Sequence, residues 1–131
     1  MTKASKQRDL KQGDIFWVQL EGLPGDIPQI PHPHVIIQDT IINRSRVKTV
    51  VMCALTSNMK RANEPGNVLL DMNEAGLTRH SIVVVSQIET VNKTDLGEYI
   101  GTLSPERVKQ IFNGMEFQQK SFFSYNEDPA A

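Results

Sequence analysis

The sequence predicts a mostly β, α+β domain: an antiparallel sheet or small barrel that ends in one C-terminal amphipathic helix. Three observations predict it. Short β-branched and apolar runs recur between turn signals, two neighbouring runs are apolar on both faces, and a single sharp helix start follows all the strands. With 131 residues the chain is one domain, large enough to bury a core and too small for two.

The first eleven residues are polar and charged with no periodicity, and 1–9 is expected to be a flexible segment because it buries too little apolar surface to offset ordering entropy. Gly13-Asp14 opens a strand over Ile15–Leu20, with Phe16, Val18 and Leu20 on one face and Ile15, Trp17 and Gln19 on the other. Trp17 is a possible base-stacking platform, although a lone strand Trp is more often core or interface. Gly22, Pro24, Gly25, Pro28, Pro31 and Pro33 make Glu21–Pro33 a long loop, a candidate flap.

His34–Gln38 and Val47–Leu55 read as neighbouring central strands joined by a basic loop. Pro65-Gly66 marks a turn, Asn67–Leu70 a short strand, and Asn73–Leu77 a turn capped by Asp71 or Asn73. Ser81–Ile88 is a further central strand, and Glu98–Leu103 an edge strand weakened by Gly101. Ser104-Pro105-Glu106 supplies an N-cap hydroxyl, a first-position proline and a first-turn acid, with Val108, Ile111, Phe112 and Met115 following at helical spacing. Gly114 is expected to weaken the helix end, leaving 117–131 as an aromatic tail with Phe117, Phe122, Phe123 and Tyr125.

Fourteen basic against fifteen acidic residues give a net charge of −1, which excludes a generically basic nucleic-acid binder but not a local patch. Thr40–Asn63 lacks any acid and carries Arg44, Arg46, Lys48, Lys60 and Arg61 around Thr56. These cations, with Asn58, are the candidate RNA-binding residues, the alternative being an ordinary solvated loop and strand edge. Cys53 lies in an apolar strand and reads as a core residue without a disulfide partner, which predicts a cytoplasmic protein. No apolar run reaches a membrane span, and the start lacks a secretion signal, so no membrane association is expected.

His32 and His34 share a strand face, but no nearby carboxylate or thiol completes a metal set, so neither a metal nor any other cofactor is expected. A nucleophile elbow and a phosphate-binding Gly-rich loop are both absent. Imidazole, hydroxyl and basic groups suit RNA cleavage, where the 2′-hydroxyl attacks the adjacent phosphate. Here a histidine would move protons while Thr56, Ser57 and a nearby cation hold the phosphoryl oxygens. The other account of His32 and His34 is a pair of turn residues between prolines.

Several segments occur in a specific order: Gly13-Asp14-Ile15, His32–Gln38, Ala54-Leu55-Thr56-Ser57, Gly76-Leu77, Ser81–Val84, Gln87-Ile88 and Leu96-Gly97 through Ser104-Pro105-Glu106. Together they resemble the MazF/PemK toxin family over nearly the whole of 10–116. The resemblance implies an SH3-like β-barrel with a terminal helix, forming a homodimer. It also implies a metal-independent endoribonuclease that cleaves single-stranded RNA and is held inactive by a cognate antitoxin. It maps the family's essential threonine onto Thr56. The family's arginine before a proline is replaced by His32 in His32-Pro33, and His32, with His34, is the candidate replacement.

Two other classes stand beside the ribonuclease. One is a non-catalytic PemK-like module that binds RNA or a protein partner. The other is a gyrase-poisoning toxin of the CcdB kind, whose tail the Asn126–Ala131 end does not resemble. A homodimer is expected on independent grounds, because Trp17, Phe112 and the Phe117–Tyr125 aromatics exceed what a small barrel readily covers.

Overall fold

A computed structural model describes residues 9–19 and 30–127, with side chains as far as residue 120. Leu20, nearly all of the expected N-terminal segment, most of the Glu21–Pro33 loop, and the side chains of Phe122, Phe123 and Tyr125 lie outside the described residues. In chain order the elements are β1 (Asp14–Val18), β2 (His32–Ile36), α1 (Thr40–Asn43), β3 (Thr49–Thr56), β4 (Val68–Leu70), β5 (Ser81–Asn92), β6 (Leu96–Thr102) and α2 (Pro105–Glu127). The strands form one antiparallel sheet in the order β4-β5-β3-β2-β1-β6, with β3 inside and β6 at an edge, as expected.

Apolar strands need cover on both sides, and here they have it. Ile15, Val35, Cys53, Leu55, Val83 and Val85 turn to one face and join Ile111 and Met115 of α2 in the main core. Phe16, Val18, Ile36, Val50, Met52 and Val91 form a second cluster from the alternate positions. Cys53 is fully buried, and desolvation pushes its thiol up to about 12.

The sheet is barrel-like without closing on itself. Between Cys53 and Leu55 β3 advances two residues while β5, from Ile88 back to Val83, advances five, so β5 bulges and turns over Val84–Gln87. Two side chains satisfy backbone groups there. The Cys53 thiol donates to the Val84 carbonyl at 3.1 Å, and Asn67 Oδ1 accepts from the Val85 N–H at 3.1 Å. The open seam along β6 is covered by a 3₁₀ turn, Glu74–Gly76. A Cβ on Gly101 would come within 2.0 Å of the Ala75 carbonyl oxygen, and one on Gly76 within 2.3 Å of the Ile100 oxygen. Only glycine permits this backbone contact, and Gly76 also has φ +83.

Three local expectations differ from the structure. The basic loop contains α1, started by Asp39, whose carboxylate accepts from the Ile41 N–H at 2.7 Å. The turn after β4 has no Asn73 side-chain cap; instead Glu74 Oε1 accepts from the Asp71 N–H at 2.8 Å. Gly114 does not end α2, and 117–127, expected as a separate tail, continues the same helix. The Ser104 cap is present, its hydroxyl accepting from the Arg107 N–H at 3.2 Å.

Gly114 is there for close approach. A Cβ at this position would stand 2.0 Å from the Gly66 carbonyl oxygen, and Gln118 Nε2 donates to the Pro65 carbonyl at 2.8 Å beside it. In an exposed helix Gly→Ala stabilises by about 1 kcal/mol. Here Gly114→Ala is expected to destabilise by roughly 1–3 kcal/mol, because α2 must back away from the Gly66 turn. Urea denaturation checks this: a raised midpoint would show that the approach is not constraining.

Candidate active site

A cleft of about 960 Å³ opens where β2 begins and β3 ends. Three pairings build it. β1 and β2 set Trp17 opposite Pro33 and Val18 opposite His32, while β3 and β5 set Thr56 opposite Ile82. The segment just before β5, Thr78-Arg79, therefore reaches the cleft beside Thr56 and Ser57. Trp17, Glu98 and Ile100 form the wall from β1 and β6, and Leu55 and Leu77 contribute apolar lining.

His32, Thr56 and Ser57 thus meet in one cavity. The Thr56 hydroxyl accepts from the Asn58 N–H at 3.1 Å, which orients its oxygen and leaves its own O–H to donate elsewhere. Asn58 caps the 3₁₀ turn Met59–Asn63 through Oδ1, which accepts from the Lys60 N–H at 3.1 Å. Arg61 is engaged by Glu64, Nε to Oε2 2.5 Å, and this donor holds the Glu64 carboxyl below its usual range. The sequence reading missed Arg79 and Glu98. Arg79 is exposed and its guanidinium has no partner among the described residues. Its signal was available: it stands two residues before the most apolar strand, as Thr56 ends another.

His34 does not line the cleft. It is 2 % exposed and faces the second cluster, with Nδ1 donating to the His32 carbonyl at 3.0 Å and Nε2 unpartnered among the described residues. Arg44, Arg46 and Lys48 lie before the start of β3, roughly 20 Å of strand from Thr56. Arg44 forms a two-bond pair with Asp9, Nε–Oδ1 and Nη2–Oδ2 both 2.9 Å. The acid-free window is therefore divided between opposite ends of the sheet. Among the described residues no three His, Cys, Asp or Glu side chains gather as a metal set, and no helix is long and apolar enough to cross a membrane.

Fold and cleft together define a barrel-like β protein with a polar, cation-bearing site at its strand ends. Residues 11–117 match the family described as PemK-like, MazF-like toxin of type II toxin-antitoxin system, and the chain belongs to that family. Endoribonuclease MazF2 of Mycobacterium bovis is 34 % identical over 106 residues, 81 % of this chain and 93 % of its own. Endoribonuclease EndoA of Bacillus subtilis is 27 % identical over 107 residues, 82 % of this chain and 91 % of its own. A solved endoribonuclease from a mycobacterial species shares the fold with a TM-score of 0.67 at 22 % identity, over 86 % of this chain and 93 % of that one. A MazE–MazF crystal structure from Deinococcus radiodurans matches with a TM-score of 0.71 at 13 % identity, over 87 % and 98 %.

Burial lowers the pKa of His34, opposed by its hydrogen bond to the His32 carbonyl and by Glu89, and reinforced by the like charge of His32. A depressed folded value means that the unfolded chain binds the proton first. The stability His34 contributes is full above its unfolded value of 6.5 and is lost as pH falls through the folded value. Urea midpoints are expected to drop between pH 7.5 and 5.5, and to drop less in His34→Phe. An identical drop in both proteins would assign the pH dependence to other groups.

Proposed function

We propose that the chain is an endoribonuclease that cleaves single-stranded RNA without a metal ion, in the cytoplasm, and that a cognate antitoxin holds it inactive. The carrying observation is that His32, Thr56, Ser57 and Arg79 meet in one cleft of a chain whose relatives are named endoribonucleases. Antitoxin control is supported by family membership and by a solved mycobacterial endoribonuclease in complex with its cognate antitoxin, which shares this fold.

In the proposed reaction the 2′-oxygen attacks the adjacent phosphorus, a bond to O2′ forms, the bond to O5′ breaks, and a 2′,3′-cyclic phosphate leaves with a 5′-hydroxyl strand. His32 exchanges protons with the reacting oxygens, because imidazole changes charge near neutral pH. Thr56 and Ser57 donate to the phosphoryl oxygens, and Arg79 supplies the permanent cation that the family carries at the place of His32. His34 holds the His32 backbone from behind. Asn58, Lys60 and Arg61, which follow Ser57 in the chain, would contact RNA leaving the cleft, while Arg44, Arg46 and Lys48 would contact only a longer RNA strand.

Incubation with mixed-sequence single-stranded RNA in EDTA is expected to yield cut fragments. His32→Ala should slow cleavage roughly 10²–10⁴-fold with RNA binding largely kept and the near-neutral pH dependence removed. Thr56→Ala and Arg79→Gln should lower the rate while preserving the pH profile. Binding without cleavage in the wild type would favour a non-catalytic RNA-binding member of the family. Equal rates for wild type and His32→Ala would make His32 a turn residue.

A second copy of the chain is the other proposed partner. Phe112 and Phe117 are 40 % and 53 % exposed on α2, two large aromatic side chains left uncovered in one chain. Sedimentation at micromolar concentration is expected to give twice the chain mass of 14.7 kDa, and a monomer alone would remove the proposal.

A further inference from the structure

We infer that the cleft contains a base-recognition subsite formed by Trp17 and Glu98, and that it selects guanine. The subsite rests on the RNA-cleavage reading of the cleft and adds which base that cleft takes.

The pairing of β1 with β6 sets the two residues together. Phe16 stands opposite Tyr99, their rings edge to face with centroids 5.5 Å apart, on the face of the second cluster. Strand alternation turns the neighbouring residues, Trp17 and Glu98, to the other face, and both line the cleft. Between them Gly97 lets the strands close tightly, since a Cβ there would come 2.7 Å from the Trp17 carbonyl oxygen.

Trp17 is 41 % exposed, with Pro33 as its cross-strand neighbour, so an indole face is presented to a ligand in the cleft. Aromatic faces of this kind stack unpaired bases. Glu98 is exposed and its carboxylate has no partner among the described residues. In a cleft for a polyanion an unpaired carboxylate is repulsive unless the ligand supplies donors to it. On their Watson–Crick edges, adenine and cytosine set one amino donor beside an acceptor, and uracil sets one N–H between two acceptors. Guanine alone offers two adjacent donors, N1–H and the N2 amino group, which a carboxylate accepts together. Thr56 and Arg79, on the β3 and β5 side, then take the phosphate while β1 and β6 take the base.

Trp17 is the only tryptophan, so its fluorescence reports contact directly. The probes are 2′-O-methylated hexauridine and the same strand with one central A, C or G, none of which has a free 2′-hydroxyl for cleavage. The G-containing strand is expected to quench Trp17 at a roughly 5- to 100-fold lower concentration than the other three, the range for a two-bond base contact. Glu98→Gln and Glu98→Ala should abolish that preference with unchanged thermal midpoints. Cleavage sites mapped on mixed RNA should carry G next to the scissile phosphate. Equal quenching by all four strands, or a G preference that survives in both Glu98 variants, would overturn the inference. So would loss of cleavage in Glu98→Gln with base preference intact, which would make Glu98 a proton acceptor. Efficient cleavage with no base preference removes only the subsite, whereas guanine-selective quenching without any cleavage removes only the ribonuclease reading.

Discussion

The bend in β5 is the constraint on which the rest of the structure depends. A twelve-residue strand cannot follow β3 straight and also wrap the core, so the ladder breaks over Val84–Gln87 and resumes at Val83 opposite Leu55. Buried backbone groups released by such a break cost free energy unless they find partners. Cys53 of β3 and Asn67, just before β4, provide them. The first half of β5 is thereby swung against both β4 and the end of β3, bringing Arg79 to Thr56.

A second constraint keeps that geometry from opening. The Glu74–Gly76 turn covers the seam along β6, and Arg107 clamps it from α2, with Nε to Glu74 Oε2 at 2.8 Å and Nη2 to Oε1 at 3.0 Å. Hydrogen bonding from Arg107 holds the Glu74 carboxyl below its ordinary range, so the pair stays charged through neutral pH. Both side chains are about one-fifth exposed, which limits solvent screening without the full desolvation cost of a buried pair. The helix therefore does more than cover the core: its first turn fixes the segment that leads into Arg79, and Gly114 fixes its distance from the Gly66 turn.

Charge in this protein is informative only after folding. A net charge of −1 conceals a cleft end with Arg79, unpaired among the described residues, and a far end where Arg44 is neutralised by Asp9. Cations adjacent in sequence, Arg46 and Lys48 on one side and Lys60 and Arg61 on the other, are separated by the length of β3. Phosphate binding responds to local potential, so the cleft is judged by Arg79 and its neighbours and not by the whole acid-free window.

The sequence by itself determined the elements whose cause is local. Alternation and β-branched runs marked the strands, double-sided apolarity marked β3 and the start of β5 as inner, and Ser104-Pro105 fixed the start of α2, because period, branching and capping act within a few residues. It also singled out His32, Thr56 and Ser57 as strand-end residues, and the cleft contains all three. Tertiary structure decided the rest. Whether Gly114 ends a helix or admits a neighbouring backbone depends on Gly66, forty-eight positions away in the chain. Whether His34 joins His32 in the cleft depends on how far along β2 the cleft reaches: the two share a strand face, but His32 stands at the strand's open end while His34, two residues on, is buried between Phe16 and Ala54 of the neighbouring strands. Arg79 and Glu98 enter the site only because β5 bends and β6 pairs with β1, contacts between distant segments that no local pattern encodes.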